Sequence, residues 1–184
     1  MDKRSASTRQ TPMSNYRRAK IAGGTFFFTV VTHDRTPYFA DESAIQILRA
    51  AFAKVKTARP FEIEAIVVMP DHLHCIWRLP TGDDDYSGRW REIKKIASRQ
   101  LDPVTNLRNE RPVWQRRFWE HAIRDQEDCR RHMDYVHYNP VKHGLARRPI
   151  DWPWSSFKKA VAKGWYEPAW GSDEPAHIAG LELE

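Results

Sequence analysis

Two short apolar runs separated by a two-residue turn constrain the fold of this chain more than any other feature. Residues 66–69 and 72–79 flank Pro70 and Asp71, which predicts two strands joined by a tight turn. Because strand side chains alternate, the second strand has one purely apolar face and one face that carries two histidines. The apolar face consists of Leu73, Cys75, Trp77 and Leu79, and the other of His72, His74, Ile76 and Arg78. We expect the apolar face to lie in the core.

The two histidines of this strand form a candidate metal site. His72 and His74 are two residues apart on one face, so both can point at a single ion. Neutral imidazole is a common metal ligand in proteins. The spacing alone leaves a second interpretation open, in which both histidines are solvated strand residues. The apolar pattern on the opposite face favours a genuine strand, and so a genuine pair.

Length and hydropathy indicate one domain with its own core. The chain has 184 residues, a mean hydropathy of −0.72 and no apolar run near the roughly 20 residues of a membrane span. The first residues lack the apolar segment of a secretory signal. Cys75 and Cys129 are expected to be separate small core residues rather than a disulfide. We therefore expect a cytoplasmic protein with no membrane partner.

Positive charge and aromatic residues occur together. The net charge is +6, and arginines flank aromatic rings in residues 16–18, 89–91 and 114–119. Single-stranded nucleic acid suits such surfaces, because bases stack on the rings and phosphates pair with the cations. An ordinary basic surface above an aromatic core is the alternative.

The order of predicted elements indicates the fold class. Residue patterns predict an alternation of strand and helix, with strands at 25–32, 62–69, 72–79 and 113–123 and helices at 41–57 and 87–100. This β-α-β-β-α-β order predicts an α+β fold, a ferredoxin-like split βαβ sandwich with one antiparallel sheet. We expect both helices on one face and the other face open. We also expect a disordered extension over 1–13, a folded domain over 14–150 and a C-terminal extension and tail over 151–184.

A last helix beginning at Gln126 carries a second candidate constellation. One face of this helix presents Asp128, His132, Tyr135 and Asn139. Around the helix axis Tyr135 and Asn139 differ by only about 40°, whereas Tyr138 and Asn139 differ by about 100°. Tyr135 is therefore the preferred tyrosine beside Asn139, with Tyr138 as the alternative. Because Pro140 follows, Asn139 could instead cap a separate short turn, and Tyr135 could be a half-buried structural residue.

The two constellations together predict phosphoryl transfer. A phenol ionises near pH 10 and is a poor nucleophile at neutral pH. A divalent cation on His72, His74 and the amide oxygen of Asn139 would bind a phosphate oxygen and withdraw charge from phosphorus. Tyr135 could then attack in line and form a protein–phosphate ester. The coordination positions left open suit Mg²⁺ or Mn²⁺.

Two motifs resemble a known family. Residues 69–74, Met-Pro-Asp-His-Leu-His, and residues 134–144, Asp-Tyr-Val-His-Tyr-Asn-Pro-Val-Lys-His-Gly, resemble the HUH single-tyrosine transposases. The resemblance is strongest to the transposases associated with repetitive extragenic palindromes (REPs), relatives of the single-strand insertion-sequence enzymes. It covers about residues 14–160. It implies cleavage and rejoining of single-stranded DNA near REP hairpins through a 5′-phosphotyrosine intermediate, with Mg²⁺ or Mn²⁺.

The resemblance also implies residue roles within an HUH catalytic domain over 14–150. It assigns His72, His74 and Asn139 as metal ligands and Tyr135 as the nucleophile. The basic lead-in and the second helix would hold the hairpin and its single-stranded foot. The residues expected to contact DNA are Asn15, Tyr16, Arg17, Arg18, Arg89, Arg91, Lys94, Lys95 and Arg117. A monomer is favoured over a dimer.

Several interpretations stay open at this point. The chain could be a hairpin-DNA-binding protein that does not cleave, or a metal-dependent phosphodiesterase in which water attacks. The carboxylates of residues 83–85 are expected to be solvated rather than metal ligands. The acidic tail beyond about residue 165 is either solvated or folds over the DNA groove and competes with substrate.

Overall fold

One four-stranded antiparallel sheet organises the molecule. A computed structural model describes residues 18–101 and 112–178. The strands are β1 (Thr25–Val31), β2 (Glu62–Val68), β3 (His72–Arg78) and β4 (Trp119–Ala122), in the order β2-β3-β1-β4. The helices are α1 (Glu42–Ala58), α2 (Tyr86–Ser98), α3 (Gln126–Lys142) and α4 (Phe157–Ala162). This arrangement confirms the predicted α+β, ferredoxin-like split βαβ sandwich.

The larger core lies between the sheet and the pair α1 and α2. Leu73, Cys75 and Trp77 of β3 are fully buried there, as the alternation of that strand predicts. The Trp77 ring stacks on Trp90 of α2 at a centroid distance of 4.3 Å and an interplanar angle of 18°. Aromatic packing of this kind contributes more than its buried area alone. The core thus fixes which face of β3 is left for the histidines.

The second face of the sheet is covered, not open as expected. Helix α3 packs across it, and Tyr135 and Val136 join Phe27, Val67 and Ile76 in a smaller apolar cluster. The expectation of an open face was wrong because the apolar side of α3 needs a surface on which to be buried. The histidines of β3 consequently lie between the sheet and a helix.

The fourth strand is shorter than predicted. Only residues 119–122 belong to β4, while Trp114 forms an isolated bridge with Thr32. Thr29 of β1 pairs with Trp119, and Thr32, just beyond β1, pairs with Trp114. The two pairings are thus three residues apart on one side of the ladder and five residues apart on the other. Two extra residues therefore bulge out of the ladder and interrupt the strand expected over 113–123.

Arg89 is a structural residue, which contradicts its prediction as a DNA contact. Its side chain is 1% exposed, and Nη1 and Nη2 donate to the Asp83 carboxylate at 3.0 and 2.6 Å. The remaining donors go to the backbone carbonyls of Arg59, Pro60 and Asp85. Helix α2 turns Arg89 inward beside Trp90, so its charge is neutralised inside the protein. The hydrogen bond from Arg89 lowers the pKa of Asp83 to about 2.

The acidic loop supports the fold through more than solvated charges. The Asp85 carboxylate caps α2 by accepting a hydrogen bond from the Gly88 backbone N–H at 2.7 Å, and it pairs with Arg59 at 2.6 Å. The Asp83 carboxylate pairs with Arg89. The side chains of Asp83 and Asp85 are both partly exposed. The loop therefore joins α1 to α2.

The C-terminal segment, residues 151–178, packs on the edge of the sheet and on the outside of α3. The Val68 N–H donates to the Trp154 carbonyl, and the Ser156 N–H donates to the Ile66 carbonyl, both at 2.8 Å. Further along, the Tyr166 hydroxyl donates to Asp134 of α3 at 2.5 Å. The segment thus covers the exposed edge of β2 and fixes α3 from behind.

Some expectations fall on residues that the structure does not describe. The predicted disordered extension over 1–13 and the end of the acidic tail, from residue 179, lie outside the described residues. No helix within residues 18–101 and 112–178 is both long and apolar enough to cross a membrane.

We expect Arg89→Ala to lower the free energy of unfolding by about 3 kcal/mol, since it leaves a carboxylate and three carbonyls without their buried cation. Arg91→Ala, an exposed change on the same helix, is the matched control and should cost less than about 0.5 kcal/mol. Urea unfolding of the two variants measures the difference. Equal stabilities would contradict the structural role of Arg89.

Candidate active site

His72 and His74 form a buried pair on the α3 side of β3. The two residues are 1% and 0% exposed, and their ring centroids are 4.9 Å apart. The antiparallel register sets Val31 opposite His72 and Thr29 opposite His74. Because the two histidines share one strand face, they converge on the space beneath α3.

Hydrogen bonds at Nδ1 orient both imidazoles. Nδ1 of His72 lies 2.6 Å from the Asp71 carboxylate, and Nδ1 of His74 lies 2.9 Å from the Thr29 hydroxyl. A proton on Nδ1 that is donated to these oxygens leaves the lone pair on Nε2, which is buried in both rings. This is the tautomer that a metal-ligating histidine needs.

Asp71 is held ionised for this task. Burial raises the pKa of Asp71, but hydrogen bonds from His72 and from Arg35 lower this pKa by more than burial raises it. The net shift is therefore downward. Arg35 Nη1 lies 3.0 Å from the carboxylate oxygen that does not face His72. A chain of Arg35, Asp71 and His72 therefore fixes the orientation of the first histidine.

Helix α3 continues through the asparagine and the proline. Asn139 lies within α3, so the alternative in which it caps a separate turn is wrong. Pro140 lies in the last turn of α3, where its missing N–H removes one helical hydrogen bond. The small angle between Tyr135 and Asn139 around the helix axis is therefore real.

Contacts on either side of Asn139 place it above the histidine pair. The Tyr135 ring lies 5.2 Å from the His74 ring, and the His143 ring lies 5.1 Å from the His72 ring. Asn139 is midway between Tyr135 and His143 along the chain, on the same side of α3. Its carboxamide is buried, and neither its oxygen nor its nitrogen has a hydrogen bond within the described residues. A buried amide of this kind calls for a ligand.

Ring contacts and one hydrogen bond restrict the position of the Tyr135 hydroxyl. Tyr135 is 2% exposed and forms edge-to-face ring pairs with Phe27 and with His74. Lys142 donates a hydrogen bond to the phenolic oxygen at 3.3 Å and lies 4.9 Å from the ring centroid. Sequence reasoning did not single out Lys142, although its separation of seven residues from Tyr135 puts both on one helix face.

Tyr138 is directed elsewhere. It is half-buried, and burial together with Glu174 and Asp173 raises its pKa. These carboxylates belong to the C-terminal segment on the outside of α3. The geometry therefore brings Tyr135, and not Tyr138, to the histidine pair.

A second cluster adjoins this site on β4 and α3, and sequence reasoning missed it as a unit. Nitrogens of His121 and His132 and an oxygen of Asp128 lie within 4.8 Å of one another, a spacing that could hold a metal ion. The two imidazole rings, however, are stacked at 4.5 Å and only 11° from parallel. A metal ion lies in the plane of each ligating ring, and two parallel planes at this separation share no such point. The His121 and Asp128 side chains are instead hydrogen-bonded at 2.8 Å.

Of the side chains predicted to contact DNA, some are exposed and others contact groups within the protein. Arg91, Lys95 and Arg117 are exposed. Lys94 donates to the Gln115 carbonyl at 2.6 Å, and burial followed by repulsion from Arg18 lowers its pKa to about 8. Arg18 lies over the Phe118 ring at 3.8 Å. Asn15, Tyr16 and Arg17 lie outside the described residues.

Comparison with known proteins identifies a transposase family to which the chain is similar. The model of the IS200-like transposase family matches residues 23–138. An Escherichia coli protein named REP-associated tyrosine transposase is 51% identical over 171 residues, covering 93% of this chain and 99% of the relative. A Haemophilus influenzae relative is 42% identical over 175 residues, 91% of this chain and 99% of its own length. A solved structure of a REP-associated tyrosine transposase bound to a REP hairpin superimposes with a TM-score of 0.80 at 48% identity, covering 93% of this chain and 96% of that one.

We expect Asp128→Ala to destabilise the protein by about 2 kcal/mol, because the buried carboxylate accepts hydrogen bonds from His121 and from the backbone and side chain of Arg124. Glu127→Ala is the matched control, since Glu127 occupies the same first turn of α3 but is exposed. Chemical unfolding of both variants provides the comparison. If Asp128→Ala lowered the free energy of unfolding no more than Glu127→Ala does, the hydrogen bonds of Asp128 would not stabilise the fold.

Proposed function

The chain belongs to the IS200-like transposase family, among its REP-associated tyrosine transposases, and from this premise we propose a specific reaction. It cleaves and rejoins single-stranded DNA at REP-type hairpins by metal-dependent transesterification through a 5′-phosphotyrosine on Tyr135. Enzymes of this family cut and join DNA strands. The observation that carries the proposal is the placement of Tyr135 against His74, one helical turn before the buried Asn139.

The reaction exchanges one phosphodiester for another. The Tyr135 oxygen attacks phosphorus, the bond from phosphorus to the 3′ oxygen of the preceding nucleotide breaks, and a free 3′ hydroxyl leaves. The product is a phosphodiester between the tyrosine and the 5′ end of the downstream strand. Rejoining reverses these steps with the same or another 3′ hydroxyl, so no water or nucleotide cofactor is consumed.

The protein contributes position and charge to this exchange. Packing against Phe27 and His74 restricts the Tyr135 ring, which lowers the entropy cost of in-line attack. The cation of Lys142 lies 3.3 Å from the phenolic oxygen and can stabilise negative charge there, both when the tyrosine attacks and when it later departs.

The residues present fit the divalent cation that the family uses. Nε2 of His72, Nε2 of His74 and the amide oxygen of Asn139 would hold Mg²⁺ or Mn²⁺, and the buried amide without a hydrogen bond within the described residues supports this assignment. When bound, the ion neutralises charge on the scissile phosphate. The Asp71 carboxylate, which can only accept, favours the ligating tautomer of His72, and the Thr29 hydroxyl can accept the same hydrogen bond from His74.

The proposed DNA partner is a hairpin with a single-stranded foot. The related solved structure is bound to a REP hairpin, and exposed Arg91, Lys95 and Arg117 offer cations for phosphates on this chain. We propose a monomer as the acting unit, in which Tyr135 serves the histidine pair of its own chain.

We expect Tyr135→Phe to abolish a covalent protein–DNA adduct while leaving hairpin binding intact, because the change removes only the attacking oxygen. Tyr138→Phe is the matched control and should form the adduct at the wild-type rate. A denaturing gel with labelled hairpin DNA from the genome that encodes the chain, with Mn²⁺ or with chelator, measures the adduct.

Each alternative has its own outcome in this assay. Hydrolysis without an adduct would indicate a phosphodiesterase in which water attacks. Binding on a native gel with no cleavage under any metal would indicate a hairpin-binding protein. An adduct that survives Tyr135→Phe but is lost in Tyr138→Phe would overturn the assignment of the nucleophile.

We expect Asp71→Asn to weaken Mn²⁺ binding about 10- to 100-fold, since the His72 imidazole loses the carboxylate that orients it. Asp34→Asn changes an exposed carboxylate beyond the end of β1 and should have no such effect. Calorimetric titration of the protein with Mn²⁺, without DNA, provides the test. Unchanged affinity in Asp71→Asn would remove Asp71 from the proposed metal site.

A further inference from the structure

Trp119 of β4 is an exposed tryptophan at the rim of the candidate active site. It is 41% exposed, although tryptophans are usually well buried. β4 is an edge strand, and Trp119 pairs with Thr29, the residue whose hydroxyl orients His74. The mechanism described above makes no use of this side chain.

One aromatic ring separates Trp119 from the catalytic groups. Trp119 and Phe27 form an edge-to-face pair with a centroid distance of 5.7 Å and an interplanar angle of 72°. Phe27 lies nearly parallel to His74 at 5.5 Å and forms an edge-to-face pair with Tyr135 at 6.1 Å. A planar group on Trp119 would therefore be close to the phosphate that Tyr135 attacks.

Trp119 is supported as the outer member of a stack of three rings. Its ring lies 6.0 Å from His121 and 9° from parallel, and His121 in turn stacks on the buried His132 of α3. Asp128 hydrogen-bonds His121 from the first turn of α3. A ring restrained in this way loses little conformational entropy when a ligand stacks on it. This also gives the His121, Asp128 and His132 cluster a purpose that needs no metal ion.

The surroundings of Trp119 select a polyanion with aromatic bases. Arg116 and Arg117 are exposed in the bulged segment immediately before it. Exposed rings next to cations are the usual means of binding single-stranded nucleic acid, since bases stack while phosphates pair with the cations.

We propose that Trp119 is the stacking platform for one base of the single-stranded foot, beside the phosphate that is cleaved. The inference rests on the proposed function, to which it adds a positioning residue. The base is held by its flat face, so the platform fixes where the strand lies and tolerates any base. Trp119 thereby holds the scissile phosphate in register with Tyr135 and acts through the DNA, not on the reacting atoms.

Binding measurements in a Tyr135→Phe background test this inference without requiring cleavage. The probes are a REP-type hairpin with its foot, the same hairpin without the foot, and a series in which each foot base in turn is replaced by an abasic site. We expect Trp119→Ala to weaken binding of the footed hairpin about 5- to 150-fold. Its affinity for the hairpin without a foot should equal that of the background protein.

The abasic series identifies the stacked base. At one position the abasic site should weaken binding by the background protein and have no further effect in Trp119→Ala, because both changes remove the same contact. Trp119→Phe keeps a ring and should retain most of the affinity. Trp165→Ala is the matched control, because it removes a tryptophan of the C-terminal segment that is 48% exposed. It should leave the affinity for both hairpins unchanged.

Three results would overturn the inference. One is wild-type affinity of Trp119→Ala for the footed hairpin, and another is an equal loss for both hairpins, which indicates a structural role. The third is the absence of any abasic position that is coupled to Trp119. None of them bears on the covalent adduct at Tyr135, so the proposed function is judged separately.

Discussion

β3 pairs with β1 so that His74 lies opposite Thr29 and His72 opposite Val31, and the contacts of the site follow from this register. A shift by one residue would turn both histidines into the aromatic core and bring Trp77 out beneath α3. The core makes such a shift costly, because Trp77 and Trp90 stack within it. The same register brings the Thr29 hydroxyl to Nδ1 of His74. Packing on one side of the sheet thereby determines the orientation of both histidines on the other.

Helix α3 depends on that sheet face and on the C-terminal segment. Its inner side contributes Tyr135 and Val136 to a small apolar cluster, which has fewer buried residues than the main core. Its outer side is held through Asp134, which accepts hydrogen bonds from Tyr166 and pairs with His177 at 2.6 Å. His137 lies between the two sides and contacts Ser156, and burial lowers its pKa to about 3. The segment after α3 is therefore part of what positions Tyr135.

Charge in this chain serves three separate purposes. Arg89 neutralises Asp83 inside the fold, Arg35 holds Asp71 behind a candidate ligand, and Lys142 lies at the phenolic oxygen. Exposed Arg91 and Lys95 share a helix with the buried Arg89. A net positive charge therefore indicated the class of partner, while burial decided which cations can reach it.

Much of the site could be predicted from sequence, because its parts are set by short periods. Alternation along β3 put both histidines on one face, and the helical angle selected Tyr135 over Tyr138. Contacts between distant segments were beyond such patterns. Only the tertiary structure decided that α3 covers the histidines, that Arg89 turns inward, and that a bulge shortens β4 and sets Trp119 beside Phe27. Local periods determine which side chains share a face, whereas the neighbour that buries a face depends on the packing of the whole chain.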